Sequence, residues 1–142
     1  MENIFGQTLV SKKGPTATRG LNNVPIILIY ASASWCPPCR EFFPSLVQFY
    51  NSANQSRKRI EIVWLSRDRN EDDFNNTKKN MPWLAVPYNP NNIAALLERY
   101  DIEVIPKLFL LNRNGSVAHT ECRQDVVIKG IEAINEWERI RS

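Results

Sequence analysis

Ile26-Ile27-Leu28-Ile29-Tyr30-Ala31 is an unbroken apolar run, and Trp35-Cys36-Pro37-Pro38-Cys39 follows it closely. A run of that length without polar alternation predicts a central strand covered on both faces. The cysteines then fall at the start of the next helix. Two thiols three positions apart on a helical turn can close a disulfide with little backbone movement, so the pair reads as a redox site. Such a pair takes two electrons from one partner and hands them to another, which is thiol–disulfide exchange.

Downstream, the motif is expected to open a helix running to about Ala53. Phe42, Phe43, Leu46, Val47, Phe49 and Tyr50 recur there at helical spacing and form a wide apolar face. Pro37 and Pro38 occupy its first turn, where a missing N–H costs nothing. Pro44 lies further in and predicts a kink. Ile60 to Ser66 reads as a second buried strand, and Asp72 to Asn80 as a short polar helix. The apolar loop from Met81 to Tyr88 leads to a helix from Asn92 to Tyr100. Lys107 to Leu111 and Ser116 to Thr120 flank Asn112-Arg113-Asn114-Gly115, whose Asn-Gly pair signals a hairpin. A last helix is expected from about Asp125, with Val127, Ile131, Ile134, Trp137 and Ile140 along one stripe. Residues 1–23 read as an irregular N-terminal extension or short hairpin, with a strand around Thr8 to Val10. The order predicts an α/β fold in one domain over 1–142, a mixed central β-sheet with helices on both faces.

Composition sets the background. With 142 residues, 43% of them hydrophobic and 23% charged, the chain is an ordinary globular protein with room for a core. A net charge of +3, with Lys and Arg scattered, gives no nucleic-acid footprint. The densest basic cluster, Arg57-Lys58-Arg59, reads as a solvated loop. Three cysteines are too few for a disulfide-stapled scaffold. Residues 1–14 lack the apolar core of roughly 7–15 residues that a signal peptide carries. No segment approaches the ~20 apolar residues of a membrane span. The expectation is a monomer in the reducing cytoplasm, with no membrane or nucleic-acid partner and neither organic cofactor nor metal.

The attacking species in exchange is a thiolate, so something must lower the thiol pKa from its free value of about 8.5. Cys36 falls at a helix N-terminus, where unpaired N–H groups and the macrodipole favour negative charge, and Arg40 adds a cation one turn on. Cys36 is therefore the expected nucleophile and Cys39 the resolving thiol. Trp35 offers a flat contact surface beside them. A competing reading joins Cys36 and Cys39 to His119 and Cys122 in a Cys₃His zinc site. Two consecutive prolines argue against it, because they remove N–H groups that support metal-bound thiolates. Ile105-Pro106, just before the strand at Leu108, reads from pattern alone as a strand start.

Taken together, Ser32-Ala33-Ser34-Trp35-Cys36-Pro37-Pro38-Cys39-Arg40 with Phe43 and Pro44, Ser66-Arg67-Asp68-Arg69, Met81-Pro82-Trp83-Leu84-Ala85-Val86-Pro87 and Ile105-Pro106 resemble the thioredoxin superfamily, in its tryparedoxin and nucleoredoxin branch. The resemblance covers nearly the whole chain and implies a thioredoxin-like fold. It further implies a cis bond before Pro106, packed on the cysteine loop, with the Ile105 backbone docking substrate by β-addition. Trp35, Pro37, Pro38, Ile105, Pro106 and Trp83 are the docking residues it implies. Arg123 is similar to a basic residue with which some tryparedoxins engage a glutathione-like reductant, and Arg67 stands where tryparedoxins commonly carry a tryptophan beside the site. These two are the implied reductant contacts. Tyr30 takes the place of the buried aspartate of ordinary thioredoxins, and Lys107 that of a more usual threonine.

Three readings follow. The first is a protein-disulfide reductase, feeding electrons to a peroxidase such as a peroxiredoxin and restored by an external thiol or reductase. The second is a redox-gated protein-binding module with little turnover. The third is the zinc-bound structural domain.

Overall fold

A computed structural model describes residues 1–142. A short helix α1 (Glu2–Phe5) precedes the strands β1 (Thr8–Ser11) and β2 (Gly14–Ala17) and a 3₁₀ turn (Thr18–Asn23). The central units follow: β3 (Ile26–Ser32), α2 (Pro37–Ala53), β4 (Ile60–Ser66), α3 (Glu71–Lys78), β5 (Leu84–Ala85) and α4 (Pro90–Arg99). The chain ends with β6 (Lys107–Leu111), β7 (Val117–His119), α5 (Cys122–Lys129) and α6 (Glu132–Ile140). All seven strands form one sheet in the order β2-β1-β5-β4-β3-β6-β7. β3 pairs parallel with β4 and antiparallel with β6, so the sheet is mixed, as the sequence predicts.

Every residue of β3 and β4 is buried. Because side chains alternate across a strand, Ile26, Leu28 and Tyr30 pack with Ile62 and Trp64 against Phe42, Leu46 and Phe49 of α2 and Trp137 of α6. Ile27, Ile29 and Ala31 face the other way, with Val63 and Leu65, against Phe5, Ile93 and Leu96. Fully burying one such side chain stabilises the fold by about 1.5–3 kcal/mol. Two apolar layers thus clamp the central strands and fix where they end. Ser32 pairs with Ser66, and Ala31 with Lys107. The loops after β3 and β4 and the segment before β6 consequently meet at one edge, the carboxyl edge where ligand sites of open α/β sheets lie.

Two elements differ from the sequence expectation, and one open alternative is decided. The stretch from Met81 to Tyr88, read as a loop, contains β5, which bridges β4 to β1 through Trp64↔Ala85 and Val10↔Ala85. Of the two forms expected for the N-terminal stretch, the short hairpin is the one found: β1 and β2 pair antiparallel and extend the sheet. The final helix is two helices, broken at Gly130 with φ +57°. The break resets the helical phase. Ile134 and Trp137 are buried, whereas Val127 is 64% and Ile131 46% exposed, so the predicted stripe does not exist as one face. No helix is long and apolar enough to cross a membrane.

Candidate active site

Cys36 is the last non-helical residue before α2, with extended backbone at φ −98° and ψ 110°. The first N–H groups of a helix have no partner within it. Pro37 and Pro38 fill the first two helical positions and carry no N–H, so Cys39 supplies the first free donor. That donor points at the sulfur: Cys39 N–H donates to Cys36 Sγ at 3.3 Å. The sulfur thereby caps the helix, the position that serine or aspartate oxygens usually fill. Cys36 and Cys39 are joined as a disulfide with their Cα atoms 5.2 Å apart.

The Ile105–Pro106 bond is cis, and the Ile105 carbonyl lies 3.9 Å from Cys36 Sγ. Ala33, Cys36 and Cys39 form a small buried cluster with Ile105 packed on it. Cys36 is 5% and Cys39 3% exposed, so both sulfurs sit just beneath the surface. Trp35 beside them is 42% exposed.

The loop carrying the cysteines is held from the β4–α3 side. Asp68, buried two residues past β4, accepts hydrogen bonds from the Ser34 N–H at 2.7 Å, the Ser34 hydroxyl at 2.9 Å and the Thr77 hydroxyl at 2.7 Å. Trp35 Nε1 donates to the Arg67 carbonyl at 3.1 Å, and the Arg69 guanidinium lies 4.9 Å from the Trp35 ring centre. Arg40, exposed on α2, turns back to donate to the Ser34 carbonyl at 2.8 Å. The carboxylate of Asp68 escaped sequence reasoning. Its one signal was position, an acidic residue just beyond a buried strand that pairs in register with the strand leading to the cysteines.

Behind Cys39 opens a cleft of about 450 Å³ lined by Tyr30, Ser32, Arg40, Phe43 and Thr77 among others. Burial pushes the Tyr30 hydroxyl above its ordinary value. It therefore stays protonated at neutral pH and can donate a hydrogen bond but not act as a base. On the opposite side a groove of about 540 Å³ runs past Pro106 and Lys107 between Val104 and the α5 residues Arg123, Val127 and Ile128. Arg123 also reaches over the Phe42 ring, 5.9 Å from its centre.

One expected docking residue is elsewhere. Trp83 is 0% exposed and packs edge-on against Tyr30, Phe43 and Tyr50 with ring centres 5.6–5.8 Å apart. The β5 pairing missed in the sequence draws this residue into the core, so it supports the loop from below and cannot touch a partner. The zinc set does not assemble either, since no three His, Cys, Asp or Glu side chains group to hold a metal. His119 Nε2 pairs with Asp125 at 3.0 Å. Cys122 is wholly buried, and burial pushes its thiol far up.

Comparison with known proteins identifies the family. A family model described as thioredoxin-like matches residues 23–117. The tryparedoxin of Trypanosoma brucei brucei is 38% identical over 121 residues, 84% of this chain and 83% of that protein. Probable nucleoredoxin 1 of Arabidopsis thaliana is 37% identical over 107 residues, 75% of this chain but only 18% of the plant protein, so the chain spans under a fifth of that relative. The solved tryparedoxin from Trypanosoma brucei superposes with a TM-score of 0.84 at 35% identity, covering 94% of this chain and 92% of that one.

Proposed function

The chain belongs to the thioredoxin-like family of oxidoreductases, among the tryparedoxins and nucleoredoxins, and on that premise we propose that it reduces disulfides in proteins through the Cys36–Cys39 couple. The observation that carries this reading is the sulfur of Cys36 at the head of α2, accepting the Cys39 N–H at 3.3 Å with its redox partner beside it.

In the reduced protein the Cys36 thiolate attacks one sulfur of the substrate disulfide. That bond breaks, one substrate thiolate leaves, and a mixed disulfide forms on Cys36. Cys39 then gives up its proton, attacks Cys36 Sγ and releases the second substrate thiolate, leaving the Cys36–Cys39 bond. Two electrons have passed to the substrate. An external thiol reductant or a reductase reverses the sequence.

The helix dipole and the Cys39 N–H stabilise the Cys36 anion, and Arg40 adds positive charge at the same turn. Trp35, Pro37 and Pro38 form the contact surface around the sulfur. The Ile105 backbone beside cis-Pro106 binds the substrate strand, and Arg67 and Arg123 meet the reductant. Exposed Val104, Val127 and Ile128 in the adjoining groove favour protein disulfides over small ones. A peroxiredoxin is the substrate class proposed, with residues 1–142 working as one monomeric unit in the cytoplasm.

The test is turnover. Reduced protein with an external dithiol is expected to reduce insulin disulfides, and to support peroxide consumption when a peroxiredoxin is added. Binding of a partner that depends on redox state, without either turnover, would favour the redox-gated binding module instead.

A further inference from the structure

Trp35 is the one exposed aromatic side chain of the molecule, whereas Trp64, Trp83 and Trp137 are wholly buried. An exposed side chain ordinarily exchanges among rotamers. This indole is held at two points, both supplied by the segment just past β4. Its Nε1–H donates to the Arg67 carbonyl at 3.1 Å, and the Arg69 guanidinium lies over its ring, 4.9 Å from the centre.

The holding segment is itself fixed residue by residue. The Arg67 N–H donates to the Ser32 carbonyl at 2.9 Å, and the Asp68 N–H to the Ser66 hydroxyl at 2.9 Å. The Asp68 carboxylate binds Ser34 and Thr77, and the Tyr88 hydroxyl donates to the Arg69 carbonyl at 3.5 Å. Asn70 then caps α3 by accepting the Asp73 N–H at 2.9 Å. Glu71, Asp72 and Asp73 open that helix, yet none of their carboxylates comes within 4.0 Å of the Arg69 guanidinium. Asp73 instead accepts a hydrogen bond from the Asn70 side chain at 3.1 Å. Three other cations lie over rings, Lys58 over Tyr50, Arg99 over Tyr100 and Arg123 over Phe42. Those rings are buried or half-buried, so Arg69 alone is set against an aromatic face at the surface.

Resting on the redox reading above, we propose that Arg69 is a positioning residue for substrate docking, fixing Trp35 as a rigid platform beside Cys36. Arg69 acts through the indole and not on the sulfurs. A partner that meets a ring already in place loses less freedom on binding, so the clamp favours docking of a protein disulfide. Guanidinium suits this task because it is planar and weakly hydrated, and it stacks where an ammonium keeps its water.

The test combines kinetics with a spectroscopic readout. Arg69→Ala is expected to raise KM for insulin disulfides about two- to fivefold, the range of an exposed cation–π contact, with kcat nearly unchanged. Arg69→Lys, which keeps the charge and loses the plane, is expected to fall between the two. Added to Trp35→Leu, the Arg69→Ala change is expected to leave KM where the first substitution puts it, since the two residues act as one unit. In the disulfide form, exchange of the Trp35 Nε1–H, assigned by its loss in Trp35→Leu, is expected to quicken by a similar factor in Arg69→Ala. Arg69 is exposed, so its loss leaves the core intact. An unchanged KM in Arg69→Ala, or a full additional rise in the double variant, would overturn the docking role. An unchanged indole exchange rate would overturn the clamp. If the wild-type protein reduces no disulfide, the redox reading fails and the docking role with it, while the exchange rate still decides the clamp.

Discussion

At the scale of single residues, the proposed mechanism gives the two cysteines different jobs because one caps the helix and the other lies within it. Cys36→Ser is expected to bring insulin reduction down to background. Cys39→Ser keeps the attacking sulfur but removes the resolving one, so a mixed disulfide with substrate should accumulate, visible as a band lost on reduction. Asp68 acts through Ser34 rather than on substrate. Asp68→Ala strands the Ser34 N–H without its partner, at a cost of about 1–3 kcal/mol, which corresponds to a Tm drop of roughly 3–10 °C. Asp68→Asn, which keeps an acceptor oxygen, is expected to recover part of that loss. The cysteine pair was legible in the sequence because its spacing is its geometry. Asp68 was not, because the partner it holds lies 34 residues away and only the β3–β4 register brings them together. Trp83 was misplaced for the same reason, since a tryptophan among prolines looks like a surface loop until the two-residue strand after it is known.

At the scale of elements, the proposed mechanism has the first turn of α2 set the reactivity. Pro38→Ala adds an N–H at the second helical position, a new donor near the Cys36 sulfur. The added donor stabilises the thiolate, so the Cys36 pKa is expected to fall by about one unit, worth roughly 1.4 kcal/mol. Stabilising the reduced form also makes the couple more oxidising, which equilibration against glutathione would read. The β6–β7 turn shows a second local constraint. Gly115 has φ +89°, and a Cβ there would collide with the Ile4 side chain. Helix α2 was readable because its apolar spacing is continuous from Phe42 to Tyr50. The C-terminal helices were not, because the apolar spacing from Val127 to Ile140 reads in the sequence as one stripe, whereas the break at Gly130 turns its two parts to different faces.

For the whole molecule, the two apolar layers were legible from the unbroken apolar run of β3, which has to be covered on both faces, while the order of the outer strands was not, since β5 is too short to leave a periodic signal. One buried network links the sheet to α2 and gives the fold an alkaline limit. The Tyr50 hydroxyl donates to Glu61 at 3.0 Å and accepts from Lys58 at 2.8 Å. Burial first, and then the charge of Glu61, push Tyr50 up to about 12 from an ordinary value of 10.0. The folded state therefore holds this proton more tightly than the unfolded chain does. The stability it contributes is whole below pH 10 and is lost as pH rises from 10 through 12. Denaturant midpoints should fall across that window, and Tyr50→Phe should flatten the fall.

The most direct measurement is a titration of the reduced protein by thiolate absorbance near 240 nm, repeated on the Cys36→Ser and Cys39→Ser variants. The proposed mechanism predicts a transition clearly below the free-thiol value of about 8.5, retained in Cys39→Ser and absent in Cys36→Ser. A Cys36 thiol that titrates at or above that value would contradict it.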